Sequence, residues 1–305
     1  MQQIPKEMFE PVSTNHNEAE KISKPSLSFW KDAFLRYREN KLAMFGTVLI
    51  ILLLVMAIFA PIFSKYDYET TNLLNTNRPP SSEHWFGTDD LGRDIFVRTW
   101  EGARISLFIG LAAAFIDLII GVIWGSIAGF RGGKTDEAMM RIADILWAIP
   151  YLLMVVLLMV ILDKGLLPMI IAMSITGWIN MARIVRGQVL QLKNQEFVLA
   201  SQTLGAKTSR LLFKHLIPNS MGPILVTMTL TIPSAIFTEA FLSYLGLGVP
   251  APLASWGTMA TEGVPALEYY PWRLLFPATF ICLTIFAFNV IGDGLRDALD
   301  PKQRK

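Results

Sequence analysis

Six stretches of the chain are nearly free of charge and long enough to cross a bilayer, and polar intervals of unequal length separate them. They fall at residues 42–63, 105–130, 138–162, 166–184, 221–245 and 272–291. At 1.5 Å of rise per residue, about 20 apolar residues in one helix span the ~30 Å hydrocarbon layer, so the pattern predicts six transmembrane helices. The first run is too long for the apolar part of a secretory signal, follows a long polar lead and has no A-x-A cleavage site after it, so it reads as a span. Pro150, Pro168, Pro233 and Pro277 fall in later runs. Neighbouring helices and Ser/Thr side chains can satisfy the carbonyls they free, so they predict kinks.

The polar intervals complete the organisation. Residues 1–25 hold Pro5, Pro11 and Pro25 and no apolar period, which predicts a disordered cytoplasmic tail. At 26–41, Phe29, Trp30, Ala33, Phe34 and Tyr37 recur at helical spacing with charges mostly elsewhere, which predicts an amphipathic helix in the headgroup layer; a turn leading into the first span is the alternative. An extracytoplasmic loop is expected at 64–104, a core of five spans at 105–293, and a second cytoplasmic tail at 294–305. The interval 183–219 carries Arg183, Arg186, Lys193, Lys207, Arg210 and Lys214 against one acid, Glu196. A linker between two spans needs no such length of helix-forming sequence, so its residues 185–219 are expected to form a handle that another protein grips.

Composition agrees with the pattern. Hydrophobic residues make up 52% and charged residues 17%, outside the usual range of soluble globular chains. The excess of Lys and Arg lies on one side of a six-span chain: the N-terminal segment, the turn at 131–137, the interval 183–219 and the C-terminal tail. The positive-inside rule puts that side, with both termini, in the cytoplasm. The one cysteine, Cys282, allows neither a disulfide within the chain nor a thiolate metal site.

Little in the sequence points to covalent chemistry. Residues 128–135 satisfy a loose phosphate-loop pattern, but Ala128 replaces the usual first glycine and the segment joins two spans rather than a strand and a helix, so a tight turn is the better reading. His16, His84 and His215 lie far apart, without metal-ligand spacing or a Ser-His-Asp set. The acids between Trp85 and Phe96 do not match a calcium loop and suit turns and a helix cap. No catalytic residue, metal, cofactor or nucleic-acid partner is expected.

Four ionisable residues fall within spans, where a charge costs ~2.5–3.5 kcal/mol on insertion scales and turns to the bundle interior or to water. Arg141 and Asp144 are three apart and suggest a local ion pair. Asp117 and Glu239 each either line a translocation path or hydrogen-bond another helix. So few charges, with no convincing repeat between the halves, make an ion-coupled secondary transporter a remote alternative, and no filter-like sequence suggests a pore.

Several stretches resemble a family. Leu199-Ala200-Ser201 and Gly205, followed by Leu216-Ile217-Pro218, are similar to the coupling motif of ABC-importer permeases, with Leu199 where the motif has glutamate, Ser201 for its second alanine, and Glu196 three residues early. Gly87-Thr88-Asp89 with Gly92-Arg93-Asp94, Glu239 with residues 242–248 and Ser255-Trp256-Gly257, and the run 289–301 resemble the dipeptide/oligopeptide/nickel permease family. The single span before a long outer loop looks like its C-type subunit. The resemblance implies a type I ABC importer permease fold with both termini in the cytoplasmic compartment of the cell membrane. It implies pairing with a homologous B-type subunit, two cytoplasmic ABC ATPase subunits, an extracytoplasmic peptide-binding protein and the surrounding bilayer. A coupling helix would then contain Glu196, Leu199, Ala200, Ser201 and Leu204, with Gly205 as its cap. Oligopeptides are the favoured cargo, because no Met or His cluster on the outer side suggests a metal; dipeptides and nickel are the alternatives.

Overall fold

The structure is a computed structural model describing residues 28–300, so the tail expected at 1–25 and the last residues lie outside it. Among the described residues the regular elements are helices. In α1 (Phe29–Glu39), Ala33 packs inward while Trp30 and Phe34 stay exposed. Asn40 ends α1 with extended backbone and begins α2 (Lys41–Phe63), its side-chain oxygen accepting the Ala43 N–H at 3.1 Å. A short amide reaches the free N–H groups of a first helical turn, so Asn40 is both stop and start. The inward face of α2 is Ala43, Gly46, Ile50, Leu53 and Ala57, at helical spacing, and its large apolar side chains mostly point outward. Pro61 has no N–H to offer the Ala57 carbonyl. Arg104 supplies the donor instead, with Nε 2.6 Å from the Ala57 oxygen and another guanidinium nitrogen 2.8 Å from that of Ile58.

The next helix, α3 (Ile95–Arg131), begins within the stretch expected as loop, ahead of the uncharged run. One oxygen of Asp94 accepts the Val97 N–H at 3.0 Å, and the other meets His84 Nδ1 at 2.8 Å. Asp89 accepts the N–H groups of Leu91 and Arg93, each at 2.9 Å. Arg98, which looks like a loop residue in sequence, is buried on the first turns of α3 and reaches Glu262 at 3.2 Å and Asp89 at 3.5 Å.

Gly132 and Gly133, at φ +66° and +53°, make the turn into α4 (Gly133–Ala148). The third span departs from the expected single kinked helix at 138–162. Ile149 takes extended backbone, as residues before proline tend to, and Pro150 precedes a separate helix, α5 (Tyr151–Leu162), at 83° to α4. Nor do Arg141 and Asp144 form the local pair that their spacing suggests. Asp144 instead reaches Arg183 on α6 (Leu166–Leu192) at 2.9 Å, where the guanidinium also lies over the Trp147 ring, 4.9 Å from its centroid. Asp136 on α4 makes a two-pronged pair with Arg186 on α6, at 2.5 and 2.7 Å.

The most extensive packing in the molecule is α3 along α6. Gly121, Gly125 and Gly129 recur every four residues and share one face of α3. A Cβ on Gly125 would overlap the Ala182 carbonyl, and one on Gly121 would lie 2.6 Å from Met181 Cβ. Small residues let helix backbones approach in a membrane, where no hydrophobic force drives them together.

The interval 183–219 is largely helical. The end of α6 is followed by α7 (Glu196–Thr203), α8 (Thr208–Leu211), a π-turn (Leu212–Leu216) and a short turn (Ile217–Asn219). Then α9 (Met221–Leu242) continues through Pro233 into a second π-turn (Ser243–Leu247), and α10 (Trp256–Gly263) leads to α11 (Trp272–Leu299). Thus α2, α3, α6, α9 and α11 are each long and apolar enough to cross a membrane, and α4 with α5, bent at 83°, passes the same test as a pair. Arg36 donates to the Asp300 carbonyl at 3.4 Å, so the two ends of the described chain meet at one end of the bundle. Lys193 donates to the Gly129 carbonyl at 2.9 Å, tying the end of α6 to the α3–α4 turn.

Substituting Gly125→Ala is expected to destabilise the purified protein by about 1–3 kcal/mol through overpacking. Gly187→Ala, where a Cβ meets nothing within 4 Å, leaves it unchanged. Midpoints of SDS-induced unfolding compare the two.

Candidate functional site

The six residues singled out around the handle lie together on α7 and its C-terminal cap. Of the α7 side chains only Val198 is buried, packed with Val185, Val189, Leu211 and Leu216. Phe197 and Leu199 are exposed, and Leu204 is 88% exposed. Ala200 is exposed as well, and the Ser201 hydroxyl turns back to the Phe197 carbonyl at 2.9 Å. Glu196 stands in the first turn, where a carboxylate suits the positive end of the helix dipole. The helix stops at Gly205, with φ +81°: its N–H donates to the Gln202 carbonyl at 3.0 Å and the Ala206 N–H to that of Ser201 at 3.1 Å. This double closure needs a left-handed residue, which glycine supplies without a Cβ penalty. Nothing lies within 4 Å of a Cβ placed there, so backbone hand rather than space selects glycine. Exposed apolar side chains gathered on a short rigid helix form a contact surface.

A second feature opens where the third crossing breaks. A cavity of about 680 Å³ lies between α3, the Ile149–Pro150 break, α6 and α9. Its polar lining includes Asp117, Tyr151, Asn180, Thr231, Ser234 and Thr238, set among apolar side chains. Asp117 is 5% exposed, and its Oδ1 has no hydrogen-bond partner. Gly177 of α6 stands against this carboxylate, where any side chain would collide with it.

The structure separates Glu239 from that cavity. Its carboxylate is fully buried and accepts hydroxyl protons from Ser255 at 2.6 Å, Ser243 at 2.9 Å and Ser106 at 3.2 Å. Ser106 also accepts the Trp256 N–H at 3.0 Å, and the Trp256 indole donates to the Thr99 carbonyl at 2.8 Å. Ser255 in turn caps α10, accepting the Thr258 N–H at 3.0 Å. A Cβ on Gly257 would lie 2.7 Å from Glu239 Oε1. Through these hydrogen bonds Glu239 binds α3, α9 and α10 together. Sequence reasoning missed Ser106 because it lies 133 residues from Glu239, and missed Ser243, Ser255 and the α3 glycine seam although their short spacings were visible.

Five long apolar helices and a bent apolar pair, four of these elements lining a cavity, have the form of a multi-pass membrane protein. The chain belongs to the family of binding-protein-dependent transport system inner membrane components, whose family model matches residues 121–305. The N-terminal TM domain of oligopeptide transport permease C matches residues 28–80. Among relatives, the oligopeptide transport system permease protein OppC of Bacillus subtilis is 79% identical, with both chains covered completely. The dipeptide transport system permease protein DppC of the same organism is 56% identical over 99% of this chain and 95% of its own. In fold, an inward-facing structure of the MetNI methionine ABC transporter matches with a TM-score of 0.55 at 19% identity, over 65% of this chain and 94% of that one.

Replacing Glu239 by Ala strands three buried hydroxyls and is expected to cost about 1–3 kcal/mol, whereas Gln, which keeps one acceptor, costs less. Hydrogen exchange at Trp256–Gly263 should quicken in Glu239→Ala first, because that helix is capped through Ser255.

Proposed function

We propose that the chain is one of two paired permease subunits forming the pathway of an ATP-driven importer of oligopeptides, with α7 as the element gripped by a cytoplasmic ATPase. The observation that carries this reading is the form of α7: one side chain turned into the bundle, apolar side chains turned out, and a glycine-closed end. Peptide cargo is supported by the high identity to the Bacillus subtilis oligopeptide permease, and the more distant dipeptide permease supports the second reading, in which dipeptides share the route. The remaining partners are a homologous B-type permease subunit, a second ATPase subunit and an extracytoplasmic peptide-binding protein. The chain itself performs no covalent step.

In this reading the end of the bundle bearing α7 and the termini is cytoplasmic. The Lys and Arg there, among them Lys193, Lys207, Arg210 and Lys214, favour that side. ATP binding closes the ATPase pair and draws the two coupling helices together. The bundles then switch from inward-open to outward-open by rigid movement, because packed interfaces have discrete arrangements. Leu199 stands where the family motif has glutamate, so the grip rests on shape around Ala200 and Gly205.

Gly205→Asp places a side chain in the left-handed region at roughly 1–2 kcal/mol and adds a charge beside the contact, while Ala200→Glu adds bulk and charge to its centre. Each is expected to abolish uptake while membrane insertion and peptide capture by the binding protein persist; unaltered uptake in either removes α7 as the grip. In a strain lacking the chain, radiolabelled oligopeptide, dipeptide and nickel uptake restored by the wild type identify the cargo, with oligopeptide uptake expected and nickel alone overturning the reading.

A further inference from the structure

The cavity holds one feature that its architecture leaves unexplained. Asp117 lies about 21 Å along α3 from Arg131, well within the span, and is 95% buried by its 5% exposure. An ionised carboxylate at such depth needs a counter-charge or several donors. Among the described residues it has no ion pair, and Oδ1 receives no hydrogen bond. Arg183, roughly 9 Å further along α6 from Gly177, is engaged by Asp144. Gly177 keeps the space against the carboxylate free of side chains, and the rest of the polar wall is uncharged. Asp117 is itself among the residues that line the cavity, so a cation lodged there is the counter-charge within reach.

We propose that Asp117 is the subsite at which the pathway receives the α-ammonium group of a peptide in passage, with the Asn180 amide and the hydroxyl oxygens of Thr231, Ser234 and Thr238, whose protons go to helix carbonyls, available to its backbone. The inference rests on the importer reading above. An α-ammonium is the one cation that every unblocked peptide carries whatever its side chains, so a route indifferent to sequence can use it. A divalent metal fits poorly, since a hard cation takes six or more oxygens, several of them charged, and only one carboxylate is present. A volume of about 680 Å³ lies within the range of ligand-sized cavities.

The test uses the complete importer in proteoliposomes, with saturating binding protein, and compares ATP-dependent uptake of tetraalanine and N-acetyl-tetraalanine by wild type and Asp117→Asn. The substitution is isosteric, and it removes no hydrogen bond at Oδ1. Tetraalanine uptake is expected to fall about tenfold in the variant and N-acetyl-tetraalanine uptake to stay unchanged, so that the ratio collapses. Equal loss of both peptides, or an unchanged ratio, overturns the subsite. A second measurement does not depend on how the binding protein treats the acetylated peptide. Water-soluble carbodiimide, which joins a carboxylate to an amine, is added to the importer with tetraalanine, and Asp117 is examined by mass spectrometry. A tetraalanine amide at Asp117, absent with N-acetyl-tetraalanine, is expected; its absence overturns the proposal. If the wild type moves neither peptide, the importer reading itself fails, an outcome distinct from intact uptake that ignores Asp117.

Discussion

Within hydrocarbon, a backbone or side-chain polar group finds no water, so each must be met by another group of the protein. That requirement accounts for most of the polar architecture here. Pro61 interrupts the hydrogen-bond ladder of α2, and Arg104 crosses from α3 to complete it. Glu239 enters the interior only with three serines around it, and those serines then fix the start of α10. Asp117 is the contrasting case, a buried carboxylate beside a cavity, with one oxygen that no other group of the chain meets. The same rule separates a residue whose partners all come from the chain from one whose partners do not.

Packing follows a second logic. The glycine face of α3 brings it against α6 at backbone distance, so these two helices form the most closely joined pair in the bundle. Because α6 runs on to Leu192, Val185 and Val189, two of the residues that receive Val198, lie on the same helix as Gly177 and Asn180 in the wall of the cavity. The break at Pro150 has the opposite character. It turns α5 away from α4 at 83°, and Ile149, Pro150 and Tyr151 at the break line the cavity.

The spans were legible in the sequence because twenty apolar residues have few other uses, and α7 was legible because a polar helix between spans has no packing reason to exist. What escaped was set by contacts between distant residues. The proline at 150 gave the same signal as those at 233 and 277, yet α9 and α11 continue through theirs. Asp144 found Arg183 rather than its near neighbour because α6 brings a guanidinium held against Trp147. The role of Glu239 depends on residues 106, 243 and 255, which only the fold gathers. Asp94 and Asp89 were readable, since capping is local chemistry.

Val198 carries a further implication. Because one side chain seats α7 while its neighbours face outward, the interior constrains a single position of this helix and leaves the others to answer only to what they meet. Such a segment can diverge quickly on its outer surface without disturbing the bundle, which offers a physical route by which related transporters acquire separate partners from one scaffold.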